Sequence, residues 1–188
     1  MMLARMRFEV AAILGAGWMA WAAPFFLRRT GGATAQTVDR RARWGIAIEA
    51  IGFALVWQMG WWIHDPAAWR VAGGAVFLTA GAALTWTSRF ALGRQWRFDA
   101  GLNADHALVQ SGAYRLVRHP IYASMLCMLL GTALLRTPAV LIVVALVFFI
   151  AGTQIRIRIE DGLLAARFGP AFEEYRRRVP AYIPFTRF

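Results

Sequence analysis

Five polar side chains flank two apolar stretches in a pattern that can do chemistry. Arg118, His119 and Tyr122 belong to the segment RHPIY at the start of the run Ile121–Leu135, and Glu160 and Asp161 follow the run Ala139–Thr153. Pro120 suits the first helical turn, where its missing N–H costs no hydrogen bond. Donors from Arg118, His119 and Tyr122 thus gather at a helix mouth whose own unpaired N–H groups attract anions. One reading is a seat for a carboxylate or phosphate; the other has Arg118 reaching lipid headgroups and His119 capping the helix. Glu160 lies four residues after Arg156 and four before Leu164, on one helical face. An acid at an apolar boundary points to function, whereas Asp161 reads first as a salt-bridge partner.

The elements that position these groups follow from composition. Of 188 residues 59% are apolar and 16% charged, against about 45–50% and about 25% in soluble domains. That is more apolar surface than one soluble core can hide, so the solvent is a bilayer. Net charge is +11, but the basic residues are all arginines set between apolar runs, which fits membrane flanking and not nucleic-acid binding. Cys127 stands alone, excluding an internal disulfide, and His64, His106 and His119 lack metal-ligand spacing.

Five apolar runs predict an all-α, polytopic membrane bundle of about five transmembrane helices: Val10–Leu27, Trp44–Ile63, Val71–Trp86, Ile121–Leu135 and Ala139–Thr153. The first is read as a retained span and not a cleaved signal, because Pro24 fits badly after a cut at Ala20–Ala22. The turn at His64, Asp65 and Pro66 makes the second and third runs a helical hairpin, and Arg136, Thr137 and Pro138 join the last two. Those two runs are only about 22 Å long at 1.5 Å per residue, so the helices extend beyond them or their tip is sunk in the membrane. The fifth continues as a helix to the stop at Gly169-Pro170, and a short amphipathic helix covers Ala171–Val179.

Arginines concentrate in the first connection, the third connection and the tail after Thr153. This puts the N-terminus outside and the C-terminus in the cytosol. The cytosolic segments are too small to fold alone, so they form a C-terminal cap on the bundle. Phe172, Tyr175, Tyr182, Phe185 and Phe188 are expected in the membrane interface as aromatic anchors. Exclusive use of arginine, with abundant alanine and glycine, suggests a GC-rich bacterial genome and an inner-membrane location.

Val109, Ser111-Gly112, Tyr114, Arg118-His119-Pro120 and Tyr122, then Glu160-Asp161, Leu163, Phe168-Gly169, Glu174-Tyr175 and Arg178-Val179-Pro180 with Pro184-Phe185, together form a pattern that resembles the isoprenylcysteine carboxyl methyltransferase family of integral membrane enzymes. The resemblance covers Leu92 to Phe188, about half the chain. It implies S-adenosylmethionine as cofactor, enclosed by the last two helices and the tail. It divides the chain into N-terminal transmembrane helices over 1–88 and a methyltransferase core over 89–188. Carried over position by position, it gives Arg118, His119, Tyr122, Glu160 and Asp161 to cofactor binding. Glu160 and Arg178 become the catalytic pair, Arg178 facing the acceptor carboxylate. The family usually shows Glu-Glu where this chain has Glu160-Asp161.

The implied partners are membrane lipids and a lipophilic acceptor, most simply an isoprenylcysteine-like carboxylate, with no metal and no nucleic acid. Methyl transfer from a sulfonium is a direct displacement in which alignment supplies much of the acceleration. A carboxylate acceptor needs no general base; an amine or thiol needs one, and Glu160 is the nearest candidate. The polar cofactor enters from the cytosol and the acceptor from lipid, with Trp96 and Phe98 expected at the pocket rim. Three alternatives use the same residues differently: an NADPH-dependent sterol or enone reductase-like enzyme with Arg118 and Arg176–Arg178 on phosphates, a phospholipid amine or thiol methyltransferase, and a non-enzymatic membrane scaffold or transporter subunit.

Overall fold

A computed structural model of the chain describes residues 2–26, 37–38, 40–58, 60, 62–63, 65–93, 101–102 and 107–184. His64, Trp96, Phe98, His106, Phe185 and Phe188, named above, lie outside the described residues. The architecture is the expected all-α bundle: α1 (Met2–Phe26), α2 (Ala42–Trp57), α3 (Ala68–Leu92), α4 (Pro120–Arg136), α5 (Ala139–Phe168) and α6 (Pro170–Arg178). A two-residue antiparallel pair, β1 (Thr37–Val38) with β2 (Gly101–Leu102), links the two longest connections, and a 3-10 turn over Gly112–Arg115 precedes α4. Helix α5 stops at Gly169, whose φ of 52° lets its N–H reach back to the Ala165 carbonyl, a turn that favours glycine.

Among the described residues three helices are long and apolar enough to cross a membrane: α1 over Phe8–Phe26, α3 and α5. The valines Val140, Val143 and Val147 form an exposed outer stripe on α5, as a lipid-facing surface requires. Helix α4, with 17 residues, spans about 25 Å, short of a hydrocarbon core about 30 Å thick. Its last carbonyls would be costly in lipid, and protein donors satisfy them. Arg70 reaches Leu134 O at 2.7 Å and Thr137 O at 2.5 Å, and the Ile63 N–H reaches Arg136 O at 2.7 Å. That last bond explains a departure from expectation. The second run was read as a span to Ile63, yet α2 ends at Trp57 and the chain leaves the helix at Gln58, delivering Ile63 to the tip of α4.

The helices also pair differently from the hairpin expected of α2 and α3. Each packs chiefly on a later helix, α2 on α5 and α3 on α4, while α1 lies on α3. Helices in lipid gain no hydrophobic drive by meeting, so close backbone approach decides which pairs form. Small residues supply it: a Cβ on Gly131 would stand 2.8 Å from Leu78 Cγ and 3.0 Å from Gly74 O, and one on Gly152 would stand 2.5 Å from Gly45 O. Two tryptophans of α1 then bond across to α4, Trp18 Nε1 donating to Thr132 Oγ1 at 3.0 Å and Trp21 Nε1 to Ser124 Oγ at 3.2 Å.

The tail aromatics correct another expectation. Phe172, Tyr175 and Tyr182 are buried in the protein and do not line a membrane interface. Phe172 and Tyr175 form the inner face of α6, and the Tyr175 hydroxyl donates to Tyr114 O at 2.6 Å. The tail is thereby tied to the turn before α4.

Candidate active site

The cap brings together residues 38 to 43 positions apart in sequence. Helix α4 starts at Pro120, with His119 at its N-cap in a non-helical conformation (φ −123°, ψ 66°) that makes no side-chain capping bond. Freed from the helix end, the imidazole faces α5: Nε2 lies 2.8 Å from Asp161 Oδ1 and Nδ1 lies 3.3 Å from Glu160 Oε2. Carboxylates only accept, so both contacts are satisfied at once by the doubly protonated ring. Burial lowers the pKa of this imidazole, but hydrogen bonds and charge from Asp161 and Glu160 outweigh it, so the net displacement is upward from the usual value.

Arg118 is 5% exposed and points inward, away from any headgroup. Its Nη2 donates to Asp161 Oδ2 at 3.0 Å, and its Nη1 to Val179 O at 2.5 Å and Arg176 O at 3.2 Å. The backbone repeats the tie, with Arg118 N–H on Pro180 O and His119 N–H on Ala181 O, both at 2.8 Å. The RRRVP segment therefore serves this site through its carbonyls. Tyr122, one turn into α4, donates its hydroxyl to Glu160 Oε1. Around these groups pack Val117, Ala123, Ile157, Ala181 and Tyr182.

Of the residues singled out in the sequence, Arg118, His119, Tyr122, Glu160 and Asp161 meet in this one cluster. Arg178 does not join it: its side chain is 62% exposed on α6, 3.6 Å from Glu174. Glu160 and Asp161 retain 22% and 12% side-chain exposure, so the acidic edge is the part of the cluster open to a ligand. Among the described residues no group of three or more His, Cys, Asp or Glu side chains is placed to hold a metal ion.

Sequence reasoning passed over a second charged group beneath the first. Glu49, on α2, is buried and accepts from Thr153 Oγ1 at 2.7 Å and Arg156 Nη1 at 2.6 Å. The Arg156 guanidinium lies 4.6 Å from the centre of the Tyr122 ring. The signal was present, because Glu49 is the one acid within the run Trp44–Ile63, and an ionisable residue in an apolar span marks a pairing or a function.

Comparison with known proteins shows the family. Residues 69–171 match the family described as phospholipid methyltransferase. Over 81 residues the chain is 44% identical to the cobalt-zinc-cadmium resistance protein CzcN of Cupriavidus metallidurans, covering 43% of this chain and 37% of that one. Over 83 residues it is 40% identical to the protein-S-isoprenylcysteine O-methyltransferase of Schizosaccharomyces pombe, covering 44% and 35%. It is 30% identical to protein-S-isoprenylcysteine O-methyltransferase B of Arabidopsis thaliana over 129 residues, covering 67% and 61%. The aligned stretches thus span less than two thirds of each of these relatives. With more than half its length matched, the chain belongs to the phospholipid methyltransferase family, with isoprenylcysteine O-methyltransferases among its relatives, and is an integral membrane protein of that family.

Proposed function

We propose that the chain is a methyltransferase that uses S-adenosylmethionine to methylate a lipophilic carboxylate, of the isoprenylcysteine kind, at the cytosolic face of a bacterial inner membrane. The observation that carries this reading is the convergence of Arg118, His119, Tyr122, Glu160 and Asp161 under the tail. The names of the relatives support methyl transfer over the NADPH-dependent alternative.

The residues fit the cofactor. A zwitterionic sulfonium nucleoside calls for an anion near its cationic centres and donors for its carboxylate. Glu160 and Asp161 supply a partly open acidic edge, and the buried Arg118 Nε has no hydrogen-bond partner among the described residues. When bound, S-adenosylmethionine supplies the electrophilic methyl group. Glu160 would attract its cationic part, Tyr122 would orient Glu160, and Arg118, His119 and Asp161 would hold the tail as a wall. Arg178, exposed near the same wall, would draw in the acceptor carboxylate. Excluding water strengthens each of these interactions. In this reading 89–188 would form the methyltransferase core, with 1–88 framing it through the α2–α5 and α3–α4 contacts. The N-terminus lies outside and the C-terminus in the cytosol, following the arginines.

The test is binding and turnover in detergent. Wild-type protein should bind S-adenosylhomocysteine and add a methyl group to an S-prenylated cysteine bearing a free carboxylate. Arg178→Ala should lose turnover while keeping cofactor affinity, and Glu160→Gln should lose affinity. NADPH binding without S-adenosylhomocysteine binding would overturn the proposal, and methylation of a phospholipid amine alone would overturn its acceptor.

A further inference from the structure

Glu49 lies outside the matched stretch 69–171 and is 2% exposed. A carboxylate buried this deeply is costly unless paired, and both of its oxygens are engaged, by Thr153 and by Arg156. The close passage of α2 and α5 makes this possible: a Cβ on Gly152 would stand 2.8 Å from Glu49 Cγ, and one on Gly45 would stand 2.5 Å from Arg156 Cγ. Stability alone is a weak reason for such a pair, since apolar side chains of similar volume often do as well or better.

Position accounts for it. Arg156 and Glu160 are four residues apart on α5, the spacing at which opposite charges on a helix pair directly. In the structure no ion pair joins them, although their charges still act on each other. Glu49 takes the Arg156 guanidinium, which lies against the Tyr122 ring, and Glu160 is left to Tyr122 and His119.

We propose that Glu49 is a positioning residue that sequesters Arg156 and so keeps Glu160 available to a cationic ligand. This rests on the cofactor reading given above. With Glu49 neutralised, Arg156 swings to Glu160 and cancels the negative charge that a sulfonium or ammonium group needs.

The experiment compares two ligands of nearly equal shape and different charge, S-adenosylmethionine and S-adenosylhomocysteine, by calorimetry on purified protein in detergent. Glu49→Gln should weaken S-adenosylmethionine by about tenfold, the size of one charge-assisted contact, and S-adenosylhomocysteine by less. The double variant E49Q/R156M removes the competing guanidinium together with its partner, and should recover most of the S-adenosylmethionine affinity. It also leaves no uncompensated buried charge, so it remains testable if Glu49→Gln alone fails to fold. Equal losses for both ligands, or a double variant with wild-type stability but no recovered affinity, would overturn the sequestering role and leave a structural one. Wild-type protein that binds neither ligand would overturn the cofactor reading, and this inference with it.

Discussion

Replacing Asp161 by alanine tests whether the charged cluster holds the cap together. Among the described residues Asp161 is the one whose side chain pairs with both Arg118 and His119, at 3.0 and 2.8 Å, and the two cationic side chains are only 3% and 5% exposed. Breaking a buried ion pair by removing one partner costs about 3–5 kcal/mol. Two features place this case at the lower end. Arg118 keeps its bonds to the carbonyls of Arg176 and Val179, and His119 keeps Glu160 and can release its proton. At about 3 kcal/mol, and about 2–4 °C per kcal/mol for a chain of this size, unfolding should come about 6–12 °C earlier. Asp161→Asn retains a carbonyl acceptor for one of the two donors and should fall between. Tryptophan fluorescence follows the transition in detergent, with nine tryptophans as reporters. An Asp161→Ala protein melting within about 2 °C of wild type would refute the claim that this carboxylate joins α4, α5 and the tail.

Protonated His119 bridges two carboxylates beside Arg118 and Tyr122, and its pKa in the folded protein is raised above the ordinary value. Its stabilising contribution is therefore complete below the ordinary imidazole range and is lost as pH rises through the raised folded value. Melting temperature should decline on the alkaline side of neutrality in wild type, and His119→Gln should flatten that decline; parallel profiles would contradict it. Gly152→Val should destabilise by about 3 kcal/mol, the upper part of the overpacking range, because the new side chain meets the Gly45 carbonyl across the α2–α5 crossing. Gly162→Ala, with nothing within 4 Å of its Cβ, should be neutral or slightly stabilising through helix propensity. Thermal melts of the pair decide between a packing effect and a general intolerance of side chains on α5.

The residues of the candidate site were legible because local signals mark them. Pro120 starts a helix, Gly169-Pro170 ends one, and the helical period puts Glu160 on the face of Arg156. Helix partners were not legible in the same way. A short turn after α2 suggests a hairpin with α3, but which faces meet depends on backbone approach at Gly45 with Gly152 and at Gly74 with Gly131, and those residues lie far apart in sequence. The tail shows the same limit. Phe172, Tyr175 and Tyr182 have the amphipathic rings of interface anchors, and only the fold shows that Tyr114 O and the start of α4 claim them. The arginine triplet of α6 drew attention to its charges, whereas Arg118 uses the carbonyls between them.

Taken together, the two charged groups form one balanced set. Arg118, protonated His119 and Arg156 face Glu49, Glu160 and Asp161, and the Tyr122 ring and hydroxyl connect the upper group to the lower. A set of this kind is stable only while its members stay paired, because each member buried without its partner carries a large desolvation cost. Glu49 comes from α2, so the N-terminal half supplies a charge without which Arg156 must find another anion, and the nearest on its own helix is Glu160. The first helices are on this argument a part of the site's electrostatics and not a membrane anchor alone, although the family match begins only at residue 69.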